Sequence, residues 1–255
     1  MVRASKSANR AQRVRAPKAS TRQKRPPPRV DLETKILPSQ ARSRGTFDAI
    51  LRVASELLAE KGAGGFSVNA ICLRGGLTPP AVYRYFPNKY ALLKALAQRL
   101  MEAGDDAVLL AMSRNGLPQC EADLIDEVRN TLTDLVTVTA SFPGSVQILR
   151  AMRDTPAMRE VQRASTAKMA TRRYERLRAM FPKADRGRLQ RGSRVGLESA
   201  NIAMELIVEG AHEGAGTPDA TAINDAATLL ARYYWQLGGL DGVQVGEATR
   251  SPARR

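Results

Sequence analysis

Apolar residues recur at helical spacing along most of this chain, and almost nowhere do they alternate at the period of a strand. The first clear helix runs roughly from Ser39 to Lys61. Phe47, Ile50, Leu51, Ala54, Leu57 and Leu58 share one face of it. Ser39 or Thr46 is the expected cap at its start, and Gly62 suits its C-terminal stop. Two short helices follow, Ser67 to Arg74 and Thr78 to about Tyr85, separated by Gly75-Gly76. Ser67 is the expected cap of the first, and Pro79 and Pro80 fall in the first turn of the second, where missing N–H groups cost little. Pro87-Asn88 ends that unit, and a longer helix begins near Lys89 with Leu92, Leu93, Leu96 and Leu100 on one face.

Beyond about residue 104 the pattern becomes long helices with short breaks. These are expected over about 120–140, from Pro143-Gly144 to Arg153, from Pro156 to Phe181, over about 185–212, and over 218–237 with a stop at Gly238-Gly239. The predicted fold is therefore all-α, with an N-terminal three-helix helix-turn-helix domain and a larger C-terminal helical bundle. The expected boundaries are a disordered basic tail over 1–38, the helix-turn-helix domain over 39–103, the helical domain over 104–240 and a frayed tail over 241–255. No internal repeat is visible.

Charge sharpens this picture because of where it sits. Of a net +15, residues 1–38 contribute eleven Lys/Arg against two acids, and residues 39–99 contribute nine against three. Residues 100–255 hold twenty of each. All the excess positive charge lies in the first 99 residues, which points that end toward a polyanion. Residues 1–30 carry ten Lys/Arg, no acid and the run Pro26-Pro27-Pro28. Such a segment buries too little apolar surface to offset its ordering entropy and is expected to lack a fixed fold. It could follow phosphates or enter a minor groove, or serve only as a solubilising tail.

The chemistry-bearing stretch is FSVNAICLRGGLTPPAVYRYFPNK, residues 66–89. Two short helices joined by a tight glycine-containing turn have the form of a helix-turn-helix, whose second helix enters the major groove. Ile71, Leu77, Val82 and Phe86 are the apolar positions that pin the two helices to each other and to the first helix. Thr78, Pro79, Ala81, Tyr83, Arg84 and Tyr85 are left facing outward. Arg84 offers a bidentate pair to guanine, Tyr83 and Tyr85 offer phosphate contacts, and Lys89 adds charge at a helix N-terminus. The alternative is a helical hairpin whose tyrosines merely pack.

These runs resemble the DNA-binding domain of the tetracycline-repressor (TetR) family. The resemblance rests on Leu58-Ala59-Glu60-Lys61-Gly62, then Gly76-Leu77, then Val82-Tyr83-Arg84-Tyr85-Phe86, then Asn88-Lys89, and covers about residues 42–100. It implies base or phosphate contacts from Thr78, Pro79, Ala81, Tyr83 and Arg84, and phosphate contacts from Tyr85, Lys89, Ser67 and Val68. Three positions depart from the family pattern. Tyr85 stands where His is frequent, Val68 where Thr is common, and Cys72, read as core, where Ala is usual. The resemblance further implies a sequence-specific transcription regulator, commonly a repressor, that binds double-stranded DNA at a palindromic operator as a homodimer and is released by a small-molecule ligand. Two other readings stay open: a nucleoid-type protein that covers DNA without sequence choice, and a regulator whose C-terminal domain binds a protein.

The second half carries fewer signals. Ser199, Ile202, Ala203, Leu206, Ile207 and Gly210, with Ile223, Ala226, Ala227, Leu230, Tyr233, Tyr234 and Leu237, make apolar faces on the last two helices. They suit a four-helix interface between two copies, or packing within one chain. Residues 150–194 hold fourteen Lys/Arg and four acids. Either an anion pocket around Arg150 and Arg153 or a basic surface complemented by acidic neighbours fits that bias. Seven methionines beyond residue 100 could line an adaptable pocket or fill ordinary core.

No cofactor, metal or enzyme activity is expected. His212 is the sole histidine, next to no cysteine pair or nucleophile motif, and is read as a helix C-terminal cap between Glu209 and Glu213. No phosphate-cradling glycine loop occurs. Two unpaired cysteines, no apolar run of membrane-spanning length and no secretory signal lead to the expectation of a cytoplasmic, nucleoid-associated protein without membrane contact.

Overall fold

A computed structural model describes residues 31–36, 41–114, 116–214 and 216–239. The basic segment over 1–30, the proposed Ser39 cap and the tail over 241–255 lie outside the described residues. Among the described residues all regular structure is helical: α1 (Ala41–Gly65), α2 (Val68–Gly75), α3 (Pro79–Tyr83), α4 (Lys89–Ser113), α5 (Glu121–Ser141), α6 (Ser145–Asp154), α7 (Pro156–Met180), α8 (Arg186–Glu213) and α9 (Ala220–Leu237).

In α1, the face read from the sequence is the core face. Ile50, Leu51, Ala54, Leu57 and Leu58 are buried, and Phe47 packs at their edge. Thr46 does not cap this helix. It lies a turn inside, and its hydroxyl donates back to the Arg42 carbonyl. Gly62 interrupts α1 at φ 61, close to the expected stop, although one more turn follows it.

The short helices owe their length to their ends. Ser67 Oγ accepts the Ala70 N–H at the start of α2. At its end Gly76 takes the left-handed conformation, and the Leu77 N–H reaches the Cys72 carbonyl. Thr78 then caps α3 by accepting the Ala81 N–H, with prolines in the first turn. Asn88 caps α4 by accepting the N–H groups of Tyr90 and Ala91 at 2.9 and 3.0 Å. Ile71, Val82 and Phe86 are fully buried, which fixes α2 and α3 against α1 and α4.

Helix α4 runs from the head into the bundle, a length of about 37 Å at 1.5 Å per residue. There it packs on α5 and α7, while α5, α8 and α9 pack on one another. Gly192 and Gly196 of α8 admit α9 closely, since a Cβ at either would overlap Leu237 or the Tyr234 ring. A second junction joins head and bundle. Ser55 of α1 donates to the Pro143 carbonyl at 2.6 Å, and Gly144, at φ 74, lies against Ser55, Leu58 and Ala59.

The faces read on the last two helices divide between the two roles open to them. Ile207, Ile223, Ala227, Leu230, Tyr234 and Leu237 are buried within the single chain. The exposed apolar residues of the last two helices form a neighbouring stripe, Val195, Ile202 and Leu206 on α8 and Leu229 on α9. Helix α9 is apolar over more than one face, and periodicity does not say which face meets its own chain.

Candidate nucleic-acid interface and interior cavity

The outward face of α3 is short and well anchored. Thr78, Pro79, Tyr83 and Arg84 are exposed and Ala81 is half-buried, while Val82 between them is fixed in the core. Arg84 has no acidic partner among the described residues, and its guanidinium rests 5.7 Å from the centre of the Tyr85 ring. Arg74, by contrast, is spent on Glu60 and Glu56. That contact also holds the Glu60 carboxyl below its ordinary range, chiefly through the hydrogen bond from Arg74. Arg84 is thus a cation on the exposed α3 face that the fold does not neutralise.

Tyr85 is a correction to the outward set. Its side chain is only 3% exposed. The ring packs edge-on to Phe47 at 5.6 Å, and the hydroxyl donates to the Ser43 carbonyl. Helical backbone continues through Arg84, with the Phe86 N–H still reaching the Val82 carbonyl, so Tyr85 falls three residues after Val82 on the core face that Val82 and Phe86 share. Val68 is also buried, so its side chain does not reach outward, and only its backbone amide at the α2 N-terminus could meet a phosphate. Ser67 is exposed and engaged as a cap. Lys89 is half-buried at the start of α4, with Nζ 5.4 Å from the centre of the Tyr90 ring. Cys72 is core as expected, and burial pushes its thiol up.

A brace on α3 was not anticipated. The Lys35 N–H donates to the Tyr85 carbonyl at 2.8 Å and Lys35 Nζ to the Tyr83 carbonyl at 3.3 Å. Asn88 Nδ2 donates to the Asp31 carbonyl at 2.7 Å, and Glu33 pairs with Lys94 at 2.5 Å. Residues 31–36, expected to belong to an unstructured tail, therefore satisfy carbonyls at the end of α3. The available signal was the appearance of acids at Asp31 and Glu33 after thirty residues without one.

A second site lies inside the bundle. A cavity of about 70 Å³ is lined by α4, α5, α7, α8 and α9. Its wall is mainly apolar, and four of the seven methionines, Met101, Met112, Met169 and Met204, line it. Polar groups enter at Asp105, Ser165, Asn201, Arg173 and Tyr234. Burial drives the Tyr234 phenol up to about 12. The other three methionines, Met152, Met158 and Met180, lie in or against the general core.

The basic region on α6 and α7 does not form an anion pocket around Arg150 and Arg153. Arg150 pairs with Glu209 and Glu213 at 3.1 Å each, and Arg153 with Glu209 at 2.7 Å and Glu205 at 3.5 Å. The acidic neighbours complement it. Among the described residues no group of acidic, Cys and His side chains is placed to hold a metal ion, and no helix is long and apolar enough to cross a membrane.

An N-terminal helix-turn-helix with an exposed, partly cationic second helix, continued by α4 into a helical bundle, has the architecture of the helix-turn-helix class. Residues 50–96 match the family described as bacterial regulatory proteins, tetR family. The chain is also 41% identical over 54 residues to the tetracycline repressor protein class C of Escherichia coli, a match covering 21% of this chain and 25% of that protein. The matched stretch thus spans about a quarter of the curated relative. Solved TetR-type structures share the fold. A TetR-family transcriptional regulator from Streptomyces coelicolor aligns with TM-score 0.53 and 23% identity, covering 75% of this chain and 99% of that one. A TetR transcriptional regulator from Chloroflexus aurantiacus aligns with TM-score 0.57 and 20% identity, covering 77% and 98%. The head thus carries a stretch similar to the tetR family, and the whole chain shares the fold of solved TetR-type structures.

Proposed function

We propose that this protein regulates transcription by binding double-stranded DNA sequence-specifically as a homodimer at a palindromic operator, as a repressor that a small-molecule ligand releases. The carrying observation is the α3 face. Thr78, Pro79, Tyr83 and Arg84 are exposed on a helix whose start, end and underside are all tied down. Arg84 supplies the fork that reads guanine, Tyr83 and the amides near Ser67 and Val68 hold phosphates, and Lys89 adds charge.

The partner is a second copy. Val195, Ile202, Leu206 and Leu229 are 53–68% exposed and continue into the half-buried Ser199, Ala203, Ala226 and Tyr233. Large apolar side chains in a contiguous stripe call for cover, and two-fold pairing presents two recognition helices to successive major grooves. Ligand response follows from α4, which carries Lys89 at the head and Leu100, Gly104, Asp105 and Val108 at the cavity wall. A ligand that favours one position of α4 shifts the spacing of the two heads and weakens their fit to the operator. The protein then acts at the chromosome, in the cytoplasm.

Selection of bound duplexes from a random library at physiological salt tests the reading. A recovered palindrome establishes a sequence-specific dimer. Binding without any recovered motif would replace it with the nucleoid-type alternative, in which only phosphates are read.

A further inference from the structure

We propose that the bundle cavity binds an aliphatic monocarboxylic acid, with its carboxylate on Arg173 and its chain running along α7 toward Asp105; this rests on the ligand-release reading above only for its consequence at DNA. Arg173 lines the cavity and is almost wholly buried, at 5% exposure. Its Nη1 donates to Glu127 Oε1 at 2.8 Å, but its Nε–H has no acceptor. A buried guanidinium donor without a partner is costly, and an incoming carboxylate removes that cost with a charge-assisted bond.

Glu127 does not serve Arg173 alone, since its Oε2 takes Arg176 at 2.6 Å while Oε1 takes Arg173. The Tyr234 ring lies 5.1 Å from the Arg173 guanidinium and offers it no acceptor charge.

The rest of the wall sets the body of the ligand. Between Ser165 and Arg173, α7 rises about 12 Å. Met169 of this stretch and, across from it, Leu132, Leu135 and Met204 suit an alkyl chain. The unbranched methionines can swing to enlarge the present space of about 70 Å³. At the far end Asp105 is 7% exposed, accepts from Ser165 at 2.7 Å and pairs with Lys168 at 3.1 Å. Lys168 is already engaged by Asp105 there, so a second ligand carboxylate would meet an anion instead of a cation. The site therefore selects an acid with one charged end.

The experiment titrates the full-length protein with octanoate, 1-octanol and octanedioate by calorimetry, with thermal melts alongside. Octanoate is expected to bind, and the alcohol and the diacid at least about tenfold more weakly. Arg173→Lys should erode the preference for octanoate over octanol. Because Arg173 also supports Glu127, a second variant, Met204→Trp, fills the cavity and leaves that ion pair whole. It should remove octanoate binding while the protein stays folded. Equal binding of octanol and octanoate, no binding of octanoate, or undiminished octanoate binding by Met204→Trp overturns the assignment. Operator binding separates the two proposals. If octanoate binds as described and the operator complex is unaffected, the acid site stands and ligand release falls. If a neutral compound releases the operator while octanoate does not bind, release stands and the acid site falls.

Discussion

Arg84 sits on an exposed face with no carboxylate nearby among the described residues, whereas Arg74, ten residues earlier, is neutralised by Glu60. The two arginines look alike in the sequence, and only Arg74 is spent on an acid. Arg84→Ala should reduce affinity for the selected operator by about 1–3 kcal/mol, leaving affinity for unrelated duplex largely intact. A competition assay with both duplexes checks this, and an equal loss on both would mean that Arg84 contacts only phosphate. At Glu205, burial raises the carboxyl above its ordinary range, opposed by the Gln162 hydrogen bond and by Arg153. Folding therefore favours the protonated form. This contribution is fully present below the ordinary glutamate value of about 4.3 and is lost as pH rises through the raised one. Glu205→Gln should melt higher than the parent protein near neutral pH, and the difference should close as pH is lowered. Thermal melts across that range decide it, and a difference that does not change with pH would make the Arg153 pairing the larger effect.

Among the elements, sequence period and punctuation located the helices well. Proline at Pro156, the glycines near 75 and 238 and the caps at Ser67 and Thr78 mark ends that depend on local geometry alone. Faces were harder to read. Tyr85 follows an exposed pair yet is buried, because it stands about one helical turn after Val82 and shares its core face. The α8–α9 packing was not legible either, since Gly192 and Gly196 matter only through what crosses them. Gly196→Ala places a methyl group in the Tyr234 ring and should destabilise the fold by about 1–3 kcal/mol in a denaturant titration. A neutral result would show that α9 shifts freely on α8.

For the whole molecule, the exposed stripe over Val195, Ile202, Leu206 and Leu229 is the test of assembly. Leu206 is 63% exposed, so Leu206→Glu should leave the fold and melting behaviour of the single chain nearly unchanged. It should nevertheless shift sedimentation toward the monomer and sharply weaken operator binding. Retention of the dimer would place the interface elsewhere. The long α4 and the Ser55–Pro143 contact join head and bundle at two places.

The sequence alone determined the helix boundaries, the helix-turn-helix, the placement of positive charge and the TetR-type head, because each depends on neighbours a few residues apart. Tertiary structure decided which cations are spent on acids, which apolar face α9 keeps for its own chain, how residues 31–36 brace α3, and where Arg173 and Asp105 come to share a cavity. Those depend on groups tens of residues apart, such as Glu127 with Arg173 and Asp105 with Ser165. No local pattern encodes the distance between them; only packing brings them together.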